Sequence, residues 1–436
     1  MNQHLIDKNL ILNKLGIKSF NDMQIQSHDS ILKNQNTLIL SATGSGKTLA
    51  FLIPLIESLN PDISDIQALI IAPSRELAIQ IDQVLRSIGS GYKTNVVYGG
   101  RKGAKDKEEM KQLPSILIGT PGRLADRIRR DGFSLDHIKM LVIDEFDKAL
   151  EIGFENEMIE ILDQLKEVDK KVMTSATYKQ SIPDYVNFSN YKELNFLNES
   201  KSKLEILKIP CGNESKFDVL FDFICHIGSQ QGIVFCNFKD SINELSEFLN
   251  YKHISHSCFY GGMEQKDRER ALIKFRNGTN KLLIATDLAA RGIDVPEINF
   301  ILHFEIPQRK EEFIHRNGRT ARMHKDGTAY VVIETKDRVP DFIGKPKSFN
   351  IQTASIPEKS PWATLYISGG RKDKISKGDV VGLFMKKGDL QNNEIGRIEI
   401  LHDCCFVAIH ESKTHRIIES LNNSRLKKKK IRISTC

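Results

Sequence analysis

In the stretch MLVIDEFDKALEIGF (140–154), four apolar residues run directly into three acids, Asp144, Glu145 and Asp147. Carboxylates this close repel one another and each costs free energy to desolvate, so the pattern asks for a cationic partner. SATGSGKT (41–48) offers one. It lies between an apolar β-rich run and the helical pattern LAFLIPLIESL, the setting in which backbone N–H groups cradle phosphates at a helix N-terminus. On that reading Thr43, Gly44, Ser45, Gly46 and Lys47 hold a nucleotide's phosphates, with Lys47 at the terminal one, and the Thr48 hydroxyl holds Mg²⁺. Ser41 stands where the first glycine of G-x-x-x-x-G-K-[ST] would be. Asp144 then reaches Mg²⁺ through water. Glu145 orients and deprotonates the water that attacks the γ-phosphate, and Asp147 takes a hydrogen bond from farther along the chain. A surface acidic cluster capping a helix is the competing reading, and it leaves the apolar lead-in unexplained.

The elements that must position these groups can be read from periodicity. Candidate strands lie at 37–41, 68–72, 115–119, 140–144 and 171–175, then, after the polar stretch 197–205, at 232–236, 281–286, 300–304 and 328–333. Unbroken apolar runs separated by helical segments indicate parallel sheets covered on both faces. Two such series indicate two α/β domains in tandem, expected at 1–200 and 205–340. A proline-containing linker follows at 341–361. From 362 to 436 the order β-α-β-β-α-β indicates a small α/β sandwich.

At 436 residues the chain exceeds one core, and 40% hydrophobic with 27% charged residues is ordinary for a globular protein. No apolar run reaches the roughly 18–20 residues that span a bilayer, and MNQHLIDKNLILNKLG lacks a secretory plan, so no membrane partner is expected. Seven cysteines without a C-x-x-C pair fit reduced thiols and a cytoplasmic setting. Fifteen basic and eight acidic residues lie in 360–436, so this segment carries the whole net charge of +7 and the rest balances. A basic module on a neutral body suits a polyanion such as nucleic acid.

The chain resembles the DEAD-box ATP-dependent RNA helicases, with DEFD (144–147) for D-E-A-D. PSRELA (73–78), GG (99–100), TPGR (120–123), SAT (175–177), GIVFCN (232–237), QKDR (265–268), TDLAARGID (286–294) and HRNGRTAR (315–322) follow in the family's order across residues 16–335. The resemblance implies two RecA-like parallel-sheet domains closing on ATP with Mg²⁺ and on RNA. The i, i+3 spacing places Arg316, Arg319 and Arg322 on one helix, and the resemblance implies Arg319 and Arg322 as arginine fingers at the phosphates. It gives Asp294 to the ribose and Gln24, in GIKSFNDMQ (16–24), to adenine. Ser175, Thr177 and Asp147 couple the two activities. The RNA backbone falls to Arg75, Gly100, Thr120, Gly122, Arg123, Arg268 and Thr286. Phe20, Asn21 and Asp22 replace the family's P-T-P, and no aromatic precedes Phe20.

Residues 363–433 resemble the C-terminal RNA-binding domain of DbpA-type helicases, a variant RNA-recognition motif, on LYISGGRKDKISKGDVVGL (365–383) and IGRIEILHDCCFVAI (395–409). Cys404 sits where a base-stacking aromatic belongs. Recognition is therefore expected at Arg371, Lys372, Lys374, Lys377, Lys427 and Lys428, with Lys429 and Lys430 beside them. The resemblance implies an RNA-stimulated ATPase that melts short duplexes, is anchored on large-subunit ribosomal RNA during ribosome assembly and acts as a monomer in contact with pre-ribosomal particles. A non-catalytic RNA clamp and a DNA translocase are the alternatives. The joint presence of Lys47, Thr48, Glu145, Arg319 and Arg322 argues against the first, and the order of motifs against the second.

Overall fold

The computed structural model describes residues 7–100, 112–131, 134–150, 153–177, 181–198, 204–287, 295, 298–320 and 326–436. Asp294 and Arg322 lie outside them. Seven strands open the chain: β1 (Asn36–Leu40), β2 (Ala68–Ile71), β3 (Thr94–Val97), β4 (Ile116–Gly119), β5 (Met140–Ile143), β6 (Lys170–Ser175) and β7 (Lys192–Asn195). They form a parallel sheet in the order 3-4-2-5-6-1-7. Ile39 and Ile70 point into one apolar layer with Phe51, Leu55 and Ile81, whereas Leu38, Leu69, Ile71 and Ile143 point into the other with Leu124 and Ile161. Burial on both faces is why these strands read as continuous apolar runs.

Seven more strands repeat the plan: β8 (Leu204–Pro210), β9 (Gly232–Cys236), β10 (His256–Phe259), β11 (Leu282–Thr286), β12 (Phe300–His303), β13 (Gly327–Ile333) and β14 (Lys347–Ser348). Their order, 10-11-9-12-13-8-14, is the first order with seven added to every number, again parallel throughout. The sequence expectation found nine of these fourteen strands and missed β3, β7, β8, β10 and β14. Four of them carry polar residues among the apolar ones, β14 (Lys347–Ser348) has no apolar residue, and β3, β7, β10 and β14 lie at sheet edges. The stretch 197–205 read as a polar break ends inside β8, and the later linker is tacked to the second sheet. There β14 pairs with β8, and Phe349 packs edge-on against Tyr330 at 4.9 Å.

By contact, the described chain separates into two units. Residues 311–320, placed by sequence in the second domain, belong with the first unit. The second holds β8–β14 and the C-terminal domain. That domain adds β15 (Trp362–Ile367), β16 (Ile395–Ile400), β17 (Cys405–His410), the two-residue hairpin strands β18 (Arg425–Leu426) and β19 (Lys429–Lys430), and β20 (Ile433–Thr435). Its antiparallel sheet runs 16-17-15-20, with the helices Lys377–Lys386 and Thr414–Leu421 on the face of Leu365, Ile367, Val407 and Ile409. Its other face, bearing Thr364, Tyr366 and Phe406, abuts the end of the helix Gln265–Arg276. Arg276 pairs with Glu399 at 2.6 Å, and Asn277 and Thr279 bond the Thr364 hydroxyl at 3.1 and 2.7 Å.

Candidate active site

The loop after β1 turns on Gly44 and Gly46, at φ 83° and 93°, into the helix Lys47–Ser58. A Cβ on Gly46 would lie 2.5 Å from the Gln24 amide nitrogen, so this backbone admits glycine alone. Asn21 and Gln24 form a reciprocal capping box on the helix Asp22–Lys33, and their side chains donate to Ser45 O (3.0 Å) and Gly46 O (3.3 Å). Gln24 Oε1 accepts the Asn21 N–H at 3.0 Å. One acceptor site and one N–H of that amide remain, a pair that suits an adenine edge.

Lys47 opens the helix and is buried, its ammonium donating to the carbonyls of Ser41 and Ala42. Burial lowers its pKa, the facing Asp144, Glu145 and Asp147 resist that, and the Arg319 guanidinium adds to the lowering. Two buried cations that disfavour each other beside a glycine cradle fit a polyanion such as a triphosphate.

The three acids leave β5 in one turn. Asp144 accepts from the Thr174 hydroxyl and from the Glu145 N–H at 3.1 Å. Burial and then the adjacent Glu145 push its pKa up to about 6. Glu145 is left-handed at φ 49°, a strained setting for a side chain of its size, and its Oε2 is buried without a protein partner. An orphaned carboxylate oxygen beside a reluctant second carboxylate fits a site built for a divalent cation and its water. Asp147, 2% exposed, accepts from Ser175 Oγ (3.0 Å), Thr177 Oγ1 (3.2 Å) and His315 Nε2 (2.9 Å). Burial opposes its charge, yet the His315 hydrogen bond and charge hold it below the usual carboxylate range.

His315 and Thr174 are the partners that sequence reasoning passed over. Each had a signal: a histidine opening an arginine-rich motif, and a hydroxyl at a fully buried position of β6. The arrangement of arginines is corrected as well. The helix Lys310–Asn317 ends before Arg319, which sits in a turn closed by Arg319 N–H to Arg316 O at 3.1 Å. Arg316, 1% exposed, is enclosed in the helix, and Arg319 lies near Lys47. A Cβ on Gly318 would sit 2.9 Å from Thr43, so the turn lies directly against the phosphate loop.

Three family models match in sequence: DEAD/DEAH box helicase at 21–185, helicase conserved C-terminal domain at 215–324 and DbpA RNA binding domain at 364–435. The ATP-dependent RNA helicase DbpA of Bacillus subtilis is 30% identical over 97% of this chain and 96% of its own length. The chain belongs to the DEAD-box ATP-dependent RNA helicases. The ATP-dependent RNA helicase DbpA of Escherichia coli is 28% identical over 97% of this chain and 95% of its own length. The solved S. cerevisiae Dbp5 bound to RNA and ADP BeF3 is 26% identical at a TM-score of 0.68, covering 76% of this chain and 88% of that one.

As a DEAD-box enzyme the chain is an ATP-dependent RNA helicase, and the residues expected at the RNA backbone lie at the carboxyl ends of the strands of both sheets, on loops, first helical turns and the end of β11. The Arg75 guanidinium lies over Gly99 and Gly100, where a Cβ would approach it to 3.3 and 2.8 Å, so the helicase's G-G pair makes room for an arginine. Thr120 starts the helix Pro121–Asp131, and Arg123 is held by Asp126 at 2.8 Å. Arg268 lies 4.7 Å above the Phe259 ring, and Thr286 closes β11. In the DbpA-type domain Arg371, Lys372, Lys374, Lys377, Lys427 and Lys428 are all exposed. Lys427–Asp379 (3.2 Å) and Lys429–Asp373 (3.8 Å) bring the two basic stretches together. Opposite them, Phe406 is 3% exposed beneath Tyr366, with ring centroids 5.6 Å apart. The basic loops, rather than the sheet aromatics, are open to a nucleic acid.

Proposed function

We propose that this helicase hydrolyses ATP at the junction of the phosphate loop, the end of β5 and the 315–320 turn, and that its basic C-terminal loops anchor it on large-subunit ribosomal RNA during ribosome assembly. The orphaned Glu145 Oε2, on a carboxylate that interacts electrostatically with both Lys47 and Asp144, carries the catalytic part. Glu145 accepts the proton of the attacking water, Lys47 leaves the Ser41 and Ala42 carbonyls for the terminal phosphate, and Arg319 opposes charge developing on the transferred group. An arginine in that role contributes roughly 10³–10⁵ in rate. Mg²⁺, held by Thr48 and through water by Asp144, would neutralise charge on the β- and γ-phosphate oxygens. Asp147, gripped by Ser175, Thr177 and His315, ties the hydrolytic strand end to the SAT segment and so to RNA binding. Asp294 and Arg322 would add ribose and phosphate contacts.

The anchoring part is supported by the DbpA domain match and by the clustered basic loops. It fits a monomer working in the cytoplasm on pre-ribosomal particles. The catalytic test is Glu145→Gln: RNA and ATP binding persist, and RNA-stimulated phosphate release falls on the order of 10²-fold or more. Near-normal release would remove Glu145 from this role.

A further inference from the structure

Phe238, two residues beyond β9, is 59% exposed and occupies the N-cap position of the thirteen-residue helix Lys239–Tyr251. Neither fact helps folding. An exposed phenyl ring stabilises little, and an N-cap without a side-chain acceptor forgoes the hydrogen bond that Ser, Thr, Asn or Asp would supply. A residue that breaks a local rule with no compensating contact points to function.

The loop that presents the ring is held on both sides. Glu305 accepts the Asn237 N–H at 2.5 Å through one oxygen and the Ser241 hydroxyl at 2.8 Å through the other. Asn237 Nδ2 donates to Ile306 O at 3.0 Å. One carboxylate thus clamps the residues flanking Phe238, so the ring is presented on a fixed backbone. Its position is equally specific. Cys236 pairs in register with Thr286, and Ala285 with Phe259, so the carboxyl ends of β9, β11 and β10 lie side by side at one end of the sheet. That end carries Thr286 and the Arg268 guanidinium stacked on Phe259, with the exposed Lys239 next to Phe238. An aromatic face among backbone-binding cations and hydroxyls is the combination that holds a single nucleic-acid strand.

We propose that Phe238 is a stacking platform for one nucleobase of the bound RNA strand, and that Glu305 is the residue that positions it. The inference rests on the RNA-helicase reading of the second sheet. It adds to the backbone contacts there a base contact that is tolerant of sequence, because every base has a π-face.

The full-length chain is compared with Phe238→Ala and Phe238→Trp for binding of a single-stranded RNA of mixed sequence, with and without one abasic nucleotide stepped along it, in the presence of a non-hydrolysable ATP analogue. Phe238→Ala weakens binding roughly 5- to 100-fold on intact RNA, in line with stacking measured elsewhere. Phe238→Trp retains binding, and the alanine penalty disappears when the abasic nucleotide reaches the platform. ATPase without RNA and turnover at saturating RNA stay at the parental level. An alanine variant within twofold of the parent, or a penalty equal at every abasic position, overturns the platform. Absence of any RNA binding by the unaltered chain would instead overturn the helicase reading itself.

Discussion

Asp144 is raised to about 6, against an ordinary 3.8, because burial and Glu145 both resist its ionisation. The folded chain therefore holds this proton more tightly than the unfolded chain does. Between roughly pH 4 and pH 6 the native state binds more protons, so the carboxyl's contribution turns from neutral to destabilising as pH rises. Asp144→Asn should accordingly raise the melting temperature of the ligand-free protein at pH 7.5, by an amount that shrinks towards zero near pH 4. Two pH units set an upper bound of roughly 3 kcal/mol. The same variant should need far more Mg²⁺ for ATPase. Equal melting at both pH values would mean that Asp144 is not strained by its surroundings. The left-handed Glu145 belongs to the same pattern, in which stability is given up where the chemistry is done.

Among the elements, the close approach of the turn after Lys310–Asn317 to the phosphate loop depends on Gly318 having no side chain. Gly318→Ala should push the turn off Thr43 by a few tenths of an ångström or more. Steady-state assays should then show ATPase turnover reduced roughly 10- to 100-fold, in keeping with the cost of small misplacements, while the melting temperature changes little. Turnover at the parental level would mean that the approach is incidental. Central strands were legible from sequence because burial on both faces removes polar alternation, whereas β7, KELN, shows no apolar run at all. Lys47, Asp144 and Glu145 were legible because a loop and a strand end are local in sequence. The grip of His315 on Asp147 spans 168 positions, so no spacing rule reaches it, and the end of the helix at Asn317 depends on packing.

At the scale of the whole molecule, charge is divided between a balanced body and a basic appendage. The appendage is bolted to the helix Gln265–Arg276 through Arg276, Asn277 and Thr279. Removal of residues 360–436 should leave basal ATPase intact and abolish preference for a ribosomal-RNA hairpin over unrelated RNA. Binding of the full chain should weaken more steeply with salt than binding of the truncated chain, because fewer phosphates are neutralised after truncation. Unchanged preference would show that the appendage is not the anchor.

The repeated strand order carries one more consequence. β8 stands where β1 stands, yet it leads into CGNES, and the lysine that opens the next helix, Lys216, is already neutralised by Glu334 at 3.5 Å and Asp337 at 3.2 Å. The matching position of the second sheet therefore carries no glycine cradle, and the lysine that could have met a phosphate there is taken up by carboxylates. One ATP bound per chain is the expected outcome, and titration of the full chain with a labelled non-hydrolysable analogue checks it.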